Sequence, residues 1–131
     1  MADQTIHSIL ADHVELGGAD CRNGRFHSST RPPENPTEGA WWWHSSRNML
    51  FVFDGTIWAA AWESIYEFTG AGMADITPPY SFVSDSVKFF IANSFWSPGM
   101  GYYSEVDNEI VRPAVPVAAM PCTIYYRQRI A

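Results

Sequence analysis

The chain has 131 residues, a length that suits one domain and buries roughly two-thirds of the unfolded surface, so a core is attainable without disulfide staples. Eight basic residues stand against 14 acidic ones, net charge −6, and Lys88 is the one lysine, which argues against a nucleic-acid partner held through its phosphates. There is no apolar run of membrane-spanning length and no basic-then-apolar leader, so the expectation is no membrane partner and no secretion signal.

Residues 1–30 read as an N-terminal arm or helix followed by a polar linker. Ile6, Ile9, Leu10, His13 and Val14 recur at helical spacing and form one apolar face. Asp3 or Thr5 caps the start of such a helix and Gly17-Gly18 stops it. The alternative is an extended arm. An isolated helix of this length is marginal in water, so either form needs a surface to lie on. That surface is its own domain or a neighbouring subunit, which makes Ile6, Ile9 and Leu10 candidate interface residues. Asn23-Gly24 signals a turn, with a short strand over 24–27. Cys21 and Cys122 are isolated from each other, and without an export signal two free thiols are expected.

Residues 31–131 read as a single β domain. Pro32, Pro33 and Pro36 keep Arg31–Pro36 extended and outside any sheet. Thr37-Glu38-Gly39 is a turn. Ala40–His44 is an aromatic strand, Ser45–Asn48 a polar connector and Met49–Phe53 a second strand with two apolar faces, so both faces require cover. Asp54-Gly55 predicts a tight type I′ turn with φ > 0 at both residues, and Thr56-Ile57-Trp58 begins a third strand.

Thr56–Thr69 continues as strand, because the turn before it needs a pairing partner, with a bulge near Glu63-Ser64. Met73–Ser81 is a loop around Pro78-Pro79, and Val87–Ala92 is a strand. Ser94–Gly101 reads as a turn region with a type II turn at Pro98-Gly99. Tyr102–Val106 is a strand, and Asp107-Asn108 the next turn. Pro113 and Pro116 restrict Ile110–Met120 to an edge or irregular strand. In the last strand, Cys122–Ile130, the side chains of Ile124, Tyr126, Gln128 and Ile130 face one way and those of Thr123, Tyr125, Arg127 and Arg129 the other. The expected fold class is mostly β, a small antiparallel β-sandwich or barrel-like domain with an N-terminal helix or extended arm.

No chemistry stands out. His7, His13, His27 and His44 lack zinc-ligand spacing, and no spacing selects a pair from Asp75, Asp85, Asp107 and Glu109. Nucleophile-elbow, phosphate-loop and dinucleotide motifs are absent, so the expectation is a non-catalytic protein with no cofactor and no metal. Asp54 and Gly55 are turn residues. The aromatic residues, six Trp, six Tyr and eight Phe, exceed what 17% charged residues can screen on a monomer surface. Such a surface points to contacts with other chains.

One stretch resembles a known module. Arg31, Pro33, Asn35, Pro36, Glu38, Gly39, Trp41, Ser46, Asn48, Leu50, Val52, Asp54, Gly55 and Trp58 follow a lead, strand, turn, strand, D-G and Trp pattern. It is similar to a segment of bacteriophage virion proteins, those of tail fibres and head decorations, with one extra residue between Arg31 and Asn35. The resemblance implies a virion structural protein, assembled in the host cytoplasm, with itself (as a trimer) and the major capsid or other virion proteins as partners. The chain has no room for a fibre shaft, which favours capsid decoration over a tail or tail-fibre component. Trp41, Trp42, Trp43, Phe51, Trp58 and Trp62 join the arm residues as interface candidates, because aromatic anchors carry much interface energy. The competing reading is a carbohydrate-binding module in which exposed tryptophans stack on a glycan.

Overall fold

The computed structural model describes residues 28–131 and, before them, the backbone of strands β1 (His13–Leu16), β2 (Ala19–Arg22) and β3 (Arg25–Phe26). Among the described residues the protein is mostly β, 46% strand and 3% helical, in sheets of antiparallel strands. It divides into two compact units, Met1–Ala61 with Ala131, and Trp62–Ile130.

In the first unit β1, β2 and β3 form a three-stranded antiparallel sheet. The helix expected over Met1–Gly18 therefore does not include His13 and Val14, which pair with Arg22 and Cys21. Pairing in a sheet satisfies the backbone groups that a lone, marginal helix would leave exposed at its ends. The remaining members of that apolar face, Ile6, Ile9 and Leu10, lie outside the described residues, as does Asn23-Gly24.

The Arg31–Pro36 run stays out of the sheets, and Gly39, at φ 90°, turns the chain into β5 (Trp41–His44). Strands β5, β6 (Met49–Phe53) and β7 (Trp58–Ala60) follow one another as an antiparallel meander, and the short β4 (Ser28–Ser29) pairs parallel to β5. Asn48 takes φ 49° at the end of the β5–β6 turn, a left-handed position that asparagine tolerates. The β6–β7 connection corrects the tight-turn expectation. Phe53 pairs with Trp58, so Asp54–Ile57 form a four-residue loop, and only Gly55 has positive φ, at 102°. Asp54 Oδ1 accepts the backbone N–H of both Thr56 and Ile57 at 2.8 Å, which makes an Asx turn more favourable than the two-residue reversal.

Ala61 donates to Leu50 O at 2.8 Å and ends the meander. The bulge expected at Glu63-Ser64 is absent. The chain starts a new strand, β8 (Ser64–Thr69), whose partner is β13 (Pro121–Tyr126).

The second unit is a small sandwich. One layer is the four-stranded sheet β10-β9-β13-β8, with β9 at Lys88–Ile91 and β10 at Ser94–Trp96. The other is the hairpin of β11 (Tyr103–Val106) and β12 (Ile110–Pro113). Phe89, Ile91, Cys122, Ile124 and Tyr126 from the sheet meet Tyr103 and Val111 from the hairpin in one buried cluster with Phe82, Val87 and Val117. The stretch expected as a plain turn, Ser94–Gly101, holds β10 and a 3₁₀ helix at Pro98–Met100. A type II turn would need positive φ at Gly99, but it is Gly101 that takes φ 72°. β10 forms because Trp96 stacks on Phe89 at 5.2 Å, a contact invisible to local pattern.

Loops are tied down by tertiary bonds. Gly72 bridges to Val117, Ile76 to Val111 and Phe82 to Gln128. Gly70 lies so close to the 117–120 segment that a Cβ there would stand 1.9 Å from Ala118 O. β14 (Arg129–Ile130) ends the unit, with Arg129 N–H donating to Ser81 O at 2.9 Å.

Candidate functional site: an aromatic interaction surface

The tryptophan-rich meander was the sequence's first candidate, and alternation divides its side chains. Trp42, His44, Met49, Phe51, Trp58 and Ala60 point inward and are buried. Trp42 is the hub: its ring lies 4.9 Å from His44 and 5.5 Å from both Phe51 and Trp58. Its Nε1–H donates to Ser29 O and Oγ at 3.3 and 3.2 Å, so the indole is buried without an unmet donor. Trp42, Phe51 and Trp58, expected as interface residues, are therefore core. Side chains this deeply buried offer almost nothing to a partner.

The opposite face is exposed only in part, and Ala59, paired with Val52 on it, is buried. Trp41 is 43% exposed, Trp43, Leu50 and Val52 are half-buried, and the register sets Trp41 against Val52 and Trp43 against Leu50. Trp62, at the start of the second unit, is 48% exposed.

His44 accepts hydrogen bonds at Nδ1 from Arg47 N–H at 3.3 Å and shares a 3.2 Å contact there with Ser46 Oγ. Burial, and then the charge of Arg47, hold its pKa below the ordinary 6.5. That environment favours a neutral, structural imidazole.

In the second unit the carboxylates that no spacing could select sort themselves. Asp75 holds Arg112 in a two-point ion pair, both contacts at 3.0 Å, which keeps its carboxyl below the usual range. Asp85 and Asp107 line one cavity of about 370 Å³ together with Glu105, Ser84 and Asn108. Glu105 is engaged as a loop brace, accepting the N–H of Asp85 at 2.8 Å and of Val87 at 3.2 Å. Beside it the Tyr103 hydroxyl donates to Val87 O at 2.9 Å, and burial pushes its pKa up to about 12. Cys122 is a free, buried thiol whose pKa burial raises, the opposite of an activated nucleophile. Among the described residues no group of three or more His, Cys, Asp or Glu is placed to hold a metal ion. No helix among them is long and apolar enough to cross a membrane.

Sequence reasoning missed a second aromatic surface, the outward face of the β10-β9-β13-β8 sheet. Phe95 is 47% and Ile65 58% exposed there, with Phe90 and Tyr125 between them. That Thr123 and Tyr125 share a face was legible in the last strand's alternation, and the structure turns that face outward. Phe95 was hidden because its segment lacks any local strand signal. No protein-family model matches the chain, and no curated protein or solved structure matches it.

Proposed function

We propose that the chain is a bacteriophage virion structural protein, a capsid-decoration protein that binds the head shell as a homo-oligomer and catalyses nothing. One observation carries this reading. The Arg31–Trp58 stretch, which resembles the virion module, folds as a proline lead-in feeding a continuous meander with Trp41 exposed on its open face. An aromatic anchor on a rigid sheet binds with little loss of side-chain freedom, which suits a protein whose work is adhesion. The resemblance implies a trimer and leaves a tail or tail-fibre position as the alternative placement. The experiment is to purify particles made from the genome that encodes the chain and to label it with immunogold. Label on heads in many copies supports decoration, label on tails moves the protein there, and its absence from particles overturns the reading.

A carbohydrate-binding role is the second reading, favoured by the exposure of Trp41 and Trp62. Saturable polysaccharide binding that Trp41→Ala or Trp62→Ala abolishes would put it first.

A further inference from the structure

We propose that the outward face of the β10-β9-β13-β8 sheet is a twofold contact between copies of this chain. The inference deepens the homo-oligomer part of the proposed function and rests on it.

The face carries a stripe of apolar side chains that crosses every strand. Phe95 stands opposite Phe90, with ring centroids 5.0 Å apart. Phe90 meets Tyr125 edge-on at 5.4 Å, and Tyr125 stands opposite Ile65. None of these residues belongs to the buried cluster under the sheet. At roughly 200 Å² per large side chain, two half-exposed and two half-buried residues present on the order of 300 Å² of apolar area. A standard interface buries about 800 Å² per partner, as an apolar centre within a polar rim. The stripe supplies such a centre, and Glu67, Thr123 and Lys88 lie on either side of it as rim.

Charge and register identify the occupant as a second copy. With net charge −6, two copies repel unless the faces that meet carry opposite charges in matching places. Lys88, the chain's one lysine, is on this face, and so is Glu67, which has no ion-pair partner among the described residues. Place a twofold axis in the interface, midway between these two side chains. With strands about 4.8 Å apart and about 3.4 Å per residue, it sets Lys88 of each copy on Glu67 of the other. The same rotation lays Phe90 on Phe90, Ile65 on Tyr125 and Phe95 on Pro121, which is exposed. Apolar groups meet apolar groups and opposite charges meet, so the face is complementary to itself. Lys88 also reaches Glu63 at 3.2 Å within its own chain, and this contact orients the ammonium in the rim. A twofold contact is distinct from a threefold one: trimers joined through it become hexamers, and single chains become dimers.

The test is the mass of the full chain in sedimentation experiments up to ~100 µM, where even a weak specific contact is populated. The wild-type mass is expected to be halved in Ile65→Lys and in Phe95→Lys, with the fold retained and apparent thermal stability lowered only by about what lost association removes. Met100→Lys, at another exposed apolar residue, keeps the wild-type mass. Lys88→Glu and Glu67→Lys each weaken association at least about fivefold, and the double exchange Lys88→Glu/Glu67→Lys regains most of that loss, the signature of a pair that crosses between copies. A monomeric wild type overturns the proposal, while the particle-labelling experiment decides the virion reading separately. Full wild-type mass in Ile65→Lys and Phe95→Lys also overturns it and leaves an oligomer built through another face.

Discussion

In the Trp41–Ala60 meander each strand pairs with the next one in sequence, while in Trp62–Ile130 the central strand β13 pairs with β8 through Tyr126 and Ser64 and with β9 through Cys122 and Ile91. Both regions bury aromatic rings. The first does so across short turns whose chemistry sets the register: Asn48 in the left-handed region and the Asp54 Asx turn. In the second, β13 can pair with β8 and β9 only after long loops close, so register there follows from burying Cys122, Ile124 and Tyr126 on one face. The lesson is that the meander's weak points are its turns, and the sandwich's are its close approaches and its core.

Four expectations break or sharpen that contrast. The largest effect belongs to Gly70→Ala. Its new Cβ would press on the backbone oxygen of Ala118, which no rotamer change relieves, and a loss of about 4–5 kcal/mol is expected in denaturant unfolding. A loss below ~1 kcal/mol would mean the 117–120 segment yields freely.

Next come matched core deletions. Trp42→Ala and Ile124→Ala are each expected to cost about 3–4 kcal/mol, and to speed amide exchange in different strands. Exchange should rise in β5–β7 for Trp42→Ala, and in β8, β9 and β13 for Ile124→Ala. The same exchange map for both would erase the distinction between the two regions.

The turns give smaller effects. At Gly55, φ 102° excludes β-branched residues although the space is open, so Gly55→Val should cost about 1–3 kcal/mol. In the sandwich the β9–β10 turn holds Ala92 at φ 50°, and Ala92→Gly should add about 1 kcal/mol of stability by removing that strain. Thermal shifts of opposite sign, a few degrees in size, are the measurement.

The mildest probe is pH. The His44 pKa is lower in the folded chain than its ordinary 6.5, so the unfolded chain takes up a proton first. Its contribution is intact above pH 6.5 and is lost as pH falls below that value. Tyr103 is the reverse case. Its pKa rises from 10 to about 12 on folding, so its contribution is intact below pH 10 and is lost between 10 and 12. Acid should loosen the β5–β6 turn first and alkali the packing of β11 on Val87, each read by exchange. Tyr103→Phe should remove the alkaline step, and His44→Gln the acid one.

Legibility followed the same division. The strands at Trp41–His44 and Met49–Phe53 were readable within a residue, because proline lead-in, alternation and polar turn are local signals. The alternation of Ile124, Tyr126 and Gln128 was also readable, and all three are buried. The left-handed pair expected at Asp54-Gly55 occurs instead at Asp107-Asn108, with φ 53° and 59°, where the turn itself had been read. Of the tryptophans, sequence could separate Trp42 from its two neighbours by alternation. It could not say which side was core, since both sides are apolar. Strand β10, the gathering of Asp85 with Asp107 and Glu105, and the stripe from Phe95 to Ile65 depend on partners distant in the chain.

The sequence by itself determined that the chain is mostly β, where some of its turns fall, among them Ser45–Asn48 and Asp107-Asn108, and which side chains share a face, because backbone geometry and residue chemistry act over a few positions. Only tertiary structure decided which face is buried, that the chain passes from the meander to a new sheet after Ala61, and which aromatic residues remain outside. Those outcomes depend on pairing β8 with β13, and the burial that stabilises such a pairing exists only once the intervening chain has closed on itself.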